Sequence, residues 1–288
     1  MPINEVFHLR LSAVPNVFTR YLRLGPLESS ETNRRLALVV CFMKKLLRLG
    51  LPFVGLSIGI SGCDDIHIGF GGPKIEGDGK AQKESRTVAE FDKVVVGSAF
   101  EVVATEGNPA PVKISADSNI LPLIKTEVKD RVLKVWIEGS ISSHTPLKLS
   151  LSTPKISGFE ASGATKVDLK LTSKHDLELG GSGSSELKVT GEVTNLNCDL
   201  SGASKASLTA SSLDKLNTNL SGASALNFSG SVDSLEAELS GASMIKGGMH
   251  GNKASVRMSG ASNGSFGKFS SVSKELTGAS NAHFEGSN

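Results

Sequence analysis

Large aromatic side chains are scarce in this sequence, whose 288 residues include one Trp, one Tyr and 12 Phe. Aromatic residues supply much of the apolar area in the cores of globular proteins. Their shortage, together with 31 Gly and many Ser, favours a thin interior filled by Leu, Val, Ala and an occasional Phe. Within the C-terminal half, no stretch is long or apolar enough to form a core helix.

The residues that usually carry chemistry are also few or badly spaced. The six histidines are scattered along the chain and include His67, His144, His175, His250 and His283, of which we expect the last four to be exposed. A metal site would require a cluster of ligands, which the sequence does not contain. No pair of nucleophile and base can be proposed either. The sequence therefore predicts no catalytic residue, no metal site and no cofactor.

A four-residue corner, Ser-Gly-Ala-Ser, returns about every nineteen residues through the C-terminal half. Its copies begin at Ser162, Ser182, Ser201, Ser221, Ser240, Ser259 and Thr277. A period in this range is typical of solenoids, in which each repeat forms one coil. Most residues two, four and six positions before the corner glycines, and four and six positions after them, are apolar. This alternation indicates two short strands with one buried face.

The outward positions predict that successive coils stack in register. A parallel stack places equivalent side chains about 4.8 Å apart, so like charges should not be neighbours in a column. One column reads Glu160, Gly180, Asp199, Asn219, Glu238, Arg257, Glu275, with no two carboxylates adjacent. We therefore predict an all-β fold, a single-stranded parallel β-helix with coils of about 19–20 residues. We expect it to be right-handed, since parallel crossovers are nearly always right-handed.

The best candidates for catalysis lie on this outer face: Asp199, Glu236, Glu238, Arg257 and Glu275. An enzyme acting on polysaccharides needs carboxylates that converge with a basic residue, or a pair at a defined separation. Ladder positions repeated from coil to coil do not converge in this way. We interpret the group as a solvated face whose charges alternate for stability.

Residues 43–62 have the order of a bacterial signal peptide. A basic segment, 43–48, precedes a short apolar run, 49–60, and Ile60-Ser61-Gly62-Cys63 resembles the lipobox of bacterial lipoproteins. We predict that signal peptidase II cleaves between Gly62 and Cys63 and that the Cys63 thiol is lipidated. The alternative is a transmembrane anchor with an incidental Cys, but the apolar run is short for that and rich in Gly and Ser.

This signal also predicts the division of the chain. Residues 1–42 are either a misassigned start, with translation beginning at Met43, or an extended n-region that is removed. Residues 63–86 are predicted to be a flexible, Gly-rich tether. Residues 87–288 are predicted to form the solenoid, with irregular N-terminal coils over 87–153 and regular coils over 154–288.

Cleavage before Cys63 changes the charge of the protein. Residues 1–62 hold eight of the 31 basic and three of the 29 acidic residues, which leaves 23 basic and 26 acidic residues. The net charge of about −3 provides no basic footprint for nucleic acid. Cys41 precedes the mature chain and Cys198 is predicted to face inward as a small core residue, so no pair remains for a disulfide.

Between 87 and 153 the repeat fades and the strands lengthen. Strands are predicted over Phe91–Val96, Phe100–Thr105, Val112–Ala116, Val132–Ile137 and Leu147–Leu151. The stretch 120–128 fits either a strand or a short turn, because Pro122 lies inside it. Trp136 is interpreted as a core or capping residue, since the end repeats of solenoids are atypical.

These segments and the corners that follow them resemble the GIN domain, described as an auto-transporter adhesin head domain. The resemblance is carried by Phe91-Asp92-Lys93-Val94, Phe100-Glu101-Val102, Val112 to Asp117, Leu121 to Val128 and Leu133-Lys134-Val135. It covers roughly Val88 to the C-terminus. The resemblance implies a secreted or lipid-anchored bacterial β-solenoid, with no catalytic motif to transfer. The sequence departs from the pattern at Arg257 and Lys274, which enter columns that are otherwise acidic or apolar.

We therefore expect a lipid-anchored, extracytoplasmic protein of the cell envelope that is not an enzyme. Its predicted partners are the membrane, through lipidated Cys63, and a glycan or surface protein bound by the outward ladders. The alternative is a polysaccharide lyase or hydrolase on the same scaffold. Asp64 resembles the residue that retains some lipoproteins in the inner membrane of Gram-negative bacteria, but the sequence does not decide between the inner and outer membranes.

Overall fold

The structure is a computed structural model that describes residues 74–286. This part of the chain is nearly all β, with 21 strands and one 3-10 turn at Leu121–Leu123. The strands are β1 (Ile75–Glu76), β2 (Ala81–Arg86), β3 (Lys93–Val96), β4 (Glu101–Glu106), β5 (Ala110–Asp117), β6 (Ile124–Lys129), β7 (Val132–Ile137), β8 (Ile141–Ser142), β9 (Lys148–Thr153), β10 (Gly158–Ala161), β11 (Lys166–Lys170), β12 (His175–Gly181), β13 (Glu186–Thr190), β14 (Val193–Leu200), β15 (Lys205–Leu220), β16 (Ala225–Leu239), β17 (Met244–Lys246), β18 (Gly251–Met258), β19 (Asn263–Phe266), β20 (Phe269–Leu276) and β21 (Asn281–Phe284). The described residues form the predicted parallel β-helix.

Each coil contributes a strand before the corner and a strand after it. We call the sheet of strands that precede the corners face A. It runs in space through β6, β7, β3, β10, β12, β14, the second halves of β15 and β16, β18 and β20. Face B contains the strands that follow the corners: β2, β5, β9, β4, β11, β13, the first halves of β15 and β16, β17, β19 and β21.

The corners join the two faces through glycines that stack on one another. Gly222 has φ +73, and a Cβ placed on it would lie 2.6 Å from the carbonyl oxygen of Gly202 in the preceding coil. Between the same two corners, the backbone amide of Ala223 donates a hydrogen bond to the Gly202 carbonyl oxygen at 2.7 Å. Any other residue would therefore meet both an unfavourable backbone conformation and a backbone collision. Repetition of the corner follows from this close stacking.

The last serine of the corner has a structural role that the sequence pattern did not reveal. Ser243 is buried, and its hydroxyl donates to the carbonyl oxygen of Ser240 at 2.8 Å and to that of Leu220 at 3.3 Å. Ser204 makes the equivalent bond to Ser201 at 2.8 Å. The hydroxyl thus satisfies carbonyl groups inside the bend, where water cannot reach them.

The predicted register is confirmed along the whole outward column of face A. The strand pairings match Glu160 with Gly180, Gly180 with Asp199, Asp199 with Asn219, Asn219 with Glu238, Glu238 with Arg257, and Arg257 with Glu275. The inward positions between them form one continuous apolar core. Within it, Cys198 is 1% exposed, and burial raises the pKa of its thiol to about 12. Its predicted place as a core residue is confirmed.

The N-terminal coils stack in an order that differs from their order along the chain. β7 and β9 pair in parallel with β3 and β4, whereas β10 and β11 pair with the opposite edges of β3 and β4. The coil formed by residues 132–153 therefore lies outside the coil formed by 93–106. Antiparallel pairings of β6 with β7, and of β5 with both β9 and β2, close this end. The first corner glycine is replaced by Ser98, at φ 82.

The prediction of a flexible tether over 63–86 is wrong for its last residues, because 81–86 form β2. This strand is exposed along almost its whole length, so it lacks the alternation that identifies other strands. Backbone pairing with β5 holds it in place instead. The guanidinium of Arg86 adds bonds to the carbonyl oxygens of Ile124 at 2.6 Å and Leu121 at 3.3 Å.

The C-terminal end of face A has no strand beyond β20 among residues 74–286. All but the first residue of β20 are exposed, including its inward-position residues Val272 and Leu276. Lys274 lies between them, stacked on buried Val256. An inward-pointing charge discourages further strand pairing, which accounts for the departure from the apolar pattern at this position.

Candidate binding surface

Face A carries a shallow groove along its outer side. Two adjoining depressions of about 670 and 600 Å³ form it, and both are lined by Asp199, Ser201 and Asn219. The first extends toward β3 and the second toward β20. The outward side chains of the lining come from positions one, three and five residues before the corner glycines. Because the strands are in register, each set forms a straight column with a step of about 4.8 Å.

Glycines deepen the groove near β10 and β12. The aliphatic stem of Lys93 lies across Gly158, at 3.2 Å from where a Cβ would be, and its amine donates to Glu178 at 2.5 Å. Gly180 is covered in a similar way by the side chain of Glu160. The hydrogen bond to Glu178 raises the pKa of Lys93. Lys93 on β3 thus reaches Glu178 on β12 because Gly158, which lies between them on β10, has no side chain.

The five candidate catalytic residues do not converge. Arg257 lies between Glu238 and Glu275, with nitrogen to oxygen distances of 3.3 and 3.1 Å. Hydrogen bonds to these two carboxylates raise the pKa of the guanidinium. Glu236 is paired with Lys215 at 3.2 Å in a separate column position. Asp199 is two coils away from Glu238 along the ladder. The arrangement is an alternating charge ladder on an exposed surface.

The centre of the groove is dominated by amides. Asn197 and Asp199 on β14 pair with Asn217 and Asn219 on β15. The amide of Asn219 donates to the carboxylate of Asp199 at 2.8 Å. These four planar side chains stand on two neighbouring strands, so the backbone ladder fixes their spacing. Together they offer donors and acceptors to a ligand in the groove.

Trp136 lies at the β7 end of this surface. It is 37% exposed and projects outward, because Leu133 and Val135 on the same strand are buried. Its interpretation as a core residue is wrong, while a place on the capping hairpin β6–β7 is confirmed. Val135 on β7 pairs with Val96 on β3, so the next residues, Trp136 and Gly97, are neighbours on adjacent strands. The neighbouring outward position therefore holds no side chain.

Two buried carboxylates were missed by sequence reasoning, and both are structural. Glu106 is 2% exposed and accepts hydrogen bonds from the backbone amides of Ile156, Thr172 and Ser173. His175 also contacts it through Nε2. Burial opposes ionisation of Glu106, but the hydrogen bonds outweigh it and lower the pKa of this carboxyl. The expectation that His175 is exposed is therefore wrong.

Asp117 has the same role near the N-terminal cap. It is fully buried and accepts hydrogen bonds from the Ser143 hydroxyl and the His144 amide, both at 2.8 Å. Burial acts to raise its pKa, yet the bonds from Ser143, His144 and Thr145 lower it. The carboxylate holds the loop before β9 against the end of β5. No sequence signal distinguishes it from the exposed acids, since its partners are backbone and hydroxyl groups of a distant loop.

Some predicted features lie outside the described residues. The signal peptide, the cleavage site at Gly62 and the lipidation site at Cys63 all precede residue 74. Within 74–286, no helix has the length and apolar character required to span a bilayer. The same stretch contains no group of three or more His, Cys, Asp or Glu side chains arranged to hold a metal ion.

The fold and its repeated corner define a class of β-solenoid domains. Residues 90–287 match the family described as "Putative auto-transporter adhesin, head GIN domain". Because the match covers well over half of the sequence, the chain belongs to this family. No curated protein matches the chain.

Solved structures share this fold at low sequence identity. A putative lipid binding protein from Parabacteroides distasonis ATCC 8503 has a TM-score of 0.63 and 16% identity, and the similarity covers 74% of this chain and 99% of that one. A putative adhesin from Bacteroides fragilis NCTC 9343 has a TM-score of 0.60 and 17% identity, with coverage of 73% and 99%. A second putative adhesin from Parabacteroides distasonis ATCC 8503 has a TM-score of 0.56 and 18% identity, with coverage of 74% and 99%.

Proposed function

We propose that this protein is a lipid-anchored, non-enzymatic adhesion protein that binds a surface ligand along face A. The observation that carries the proposal is the in-register outer surface of face A, where polar side chains repeat from coil to coil over an open groove. Such a surface suits an extended ligand that makes many weak contacts. The family's description as an adhesin head domain supports the same role.

The predicted anchor would place the solenoid close to a membrane. Cys63 is 11 residues before Lys74, and a chain of that length spans at most about 40 Å. The first described strand, β1, lies at the closed end of the solenoid, where Ile75 pairs with Ile141 in β8. Lipidation of Cys63 would tether the protein by this end, in an extracytoplasmic compartment of the cell envelope.

The alternative, an enzyme acting on polysaccharides, is less well supported. A catalytic pair must converge on one bond of the substrate. Arg257, Glu238 and Glu275 instead neutralise one another in a line along the ladder. Pairing of this kind stabilises an exposed sheet slightly. The charges are thus explained by the stability of the stack.

The anchor is tested by labelling with a radioactive fatty acid in a host that processes lipoproteins. Wild-type protein should incorporate the label and lose residues 1–62, and Cys63→Ala should do neither. Cys198→Ala is the matched control, since this buried cysteine should not affect labelling. Recovery of unlabelled, uncleaved wild-type protein from a competent host would reject the anchor.

A further inference from the structure

We propose that the face A groove binds a neutral glycan chain, with Trp136 as a stacking platform at one end and the amides of β14 and β15 as its hydrogen-bonding centre. This inference rests on the proposed adhesion function and specifies the chemical class of its ligand. Three features support it: the balance of charge in the groove, its planar polar groups and the placement on face A, beyond the groove lining, of the only Trp in the chain.

Charge in the groove disfavours an anionic ligand. Among the residues that the structure describes, the groove lining has two cations, Lys93 and Arg257, and both are already paired with carboxylates. Five carboxylates share the lining with them, so its net charge is negative. A uronate, sulfate or phosphate polymer would meet repulsion and would have to break existing ion pairs. A ligand without negative charge avoids both costs.

The centre of the groove suits hydroxyl groups. Asn197, Asn217 and Asn219 each carry a carbonyl acceptor and two N–H donors, and Asp199 is an acceptor only. A sugar hydroxyl both donates and accepts, so neighbouring hydroxyls can bond to such mixed planar groups together. The pairing of β14 with β15 holds the four side chains at a fixed spacing. A hydroxyl-rich ligand would therefore find a preorganised set of partners.

Trp136 supplies the apolar contact that the centre lacks. The outward position next to it in the ladder is Gly97, and a Cβ there would have the Ser162 hydroxyl as its nearest neighbour at 3.2 Å. Gly97 therefore places no side chain between the exposed indole and the serine column of the groove. The amine of the cross-strand residue Lys125 is directed away, to the Pro122 carbonyl oxygen at 3.1 Å and to Glu138 at 3.5 Å. An exposed indole can pack against the C–H face of a sugar ring.

The separation of the two parts implies a chain rather than a single sugar. Four ladder steps lead from Trp136, through Gly97 and the serine column, to the coil that holds Asn197. At about 4.8 Å for each step, the distance along the solenoid is about 19 Å. Only an oligosaccharide of several rings could contact both parts at once. The predicted ligand is therefore a linear, uncharged glycan segment.

The test uses full-length protein processed in a lipoprotein-competent host and solubilised in detergent. Its single Trp makes the emission of Trp136 a direct reporter of binding. The probes are neutral linear oligosaccharides of glucose, mannose, galactose and N-acetylglucosamine, an anionic oligogalacturonate of matched length, and a cationic oligolysine peptide. We expect at least one neutral probe to shift the emission saturably, and the charged probes to leave it unchanged.

Variants then locate the site, with affinities measured by calorimetry. Trp136→Ala should weaken neutral-probe binding by about tenfold or more, because truncating an aromatic anchor removes a binding hot spot. Trp136→Tyr should retain most of the affinity, and Asn217→Ala should weaken it several-fold. Val103→Ser is the matched control, since Val103 is an exposed apolar residue on face B, at 45% exposure.

Each contrary outcome overturns the proposal. Binding of the anionic or the cationic probe alone would assign the groove to a different ligand class. Neutral-probe binding that is insensitive to Trp136→Ala would place the glycan elsewhere. If no neutral probe binds while cells displaying the protein still adhere to a surface, the glycan inference fails and the adhesion function stands. If neutral probes do not bind and cells displaying the protein do not adhere, both the glycan inference and the adhesion function are rejected.

Discussion

The strongest test of the stacking register compares acidic substitutions at two adjacent residues, Leu220 and Asn219. Leu220 is 2% exposed and lies between Leu200 and Leu239 in the inward ladder. Asn219 is exposed in the outward column between Asp199 and Glu238. A shift of one residue in the register would exchange the two environments. The substitutions Leu220→Asp and Asn219→Asp therefore distinguish this register from its alternative.

The expected cost of Leu220→Asp is large because the new carboxyl would have no partner. Losing the buried Leu side chain removes about 2 kcal/mol of apolar stabilisation. Keeping the carboxyl protonated at pH 7 requires its pKa to rise by about three units, at about 1.4 kcal/mol for each unit. The free energy of unfolding should fall by about 6 kcal/mol at pH 7. That is comparable with the whole stability of many domains.

Asn219→Asp should cost much less. It removes the 2.8 Å hydrogen bond to Asp199 and places three carboxylates in one row. On an exposed surface these effects amount to about 1 kcal/mol or less.

The measurement is denaturant unfolding of the mature chain followed by circular dichroism at pH 4.5 and pH 7. The folded-state pKa of the new Asp at position 220 would be raised, so the folded state would bind the extra proton. Its destabilisation relative to wild type should then grow as the pH rises above the unfolded pKa of about 3.9. Equal losses at the two sites, or a larger loss for Asn219→Asp, would refute the register.

Three further results are expected. Gly222→Ala should lower the free energy of unfolding by several kcal/mol, because its Cβ would lie 2.6 Å from a carbonyl oxygen. Gly79→Ala, at φ +70 with no atom within 4 Å of its Cβ, should cost only about 1 kcal/mol. Equal losses for the two variants in thermal unfolding would reject the stacking of corners. Glu106→Gln should destabilise the protein at pH 7, and since the folded-state pKa of Glu106 is lowered, this difference should shrink as the pH falls below about 4.5 in pH-dependent unfolding. Exchanging Glu238 and Arg257 for Gln together should leave the free energy of unfolding nearly unchanged, because exposed ion pairs contribute little to stability. Polysaccharide cleavage by the wild type that this double variant abolishes, with the fold intact, would favour the enzyme.

The regular coils could be predicted because their physical constraints repeat. At Gly222 a side chain would collide with the preceding coil, and the inward position of Leu220 is enclosed by apolar neighbours. Every coil repeats these demands, so the period is visible in one sequence. The order of charges in the outward column identified the register for the same reason, since Glu238 and Arg257 are neighbours across coils.

The irregular parts could not be predicted in this way. The outer position of the coil 132–153 depends on which edges of β3 and β4 remain free, and no local pattern encodes that choice. β2 is held by backbone bonds and Arg86, so its polar sequence resembles a linker. The buried position of Glu106 depends on amides of distant loops. The residue type predicts Trp136 in the core or the cap, and its outward direction depends on the pairing of β7 with β3 and β6.

The central claim is that the protein binds a surface through face A, and matched steric blocks test it most directly. Ser201 lies in the groove on face A, and Ser265 is an exposed position on face B. Cells displaying wild type, Ser201→Phe or Ser265→Phe at equal levels would be assayed for adhesion to epithelial, bacterial and mucin-coated surfaces. We predict that wild type and Ser265→Phe adhere equally to at least one surface and that Ser201→Phe loses this adhesion. Equal adhesion of all three strains, or wild-type adhesion no greater than that of cells lacking the protein, would contradict the account.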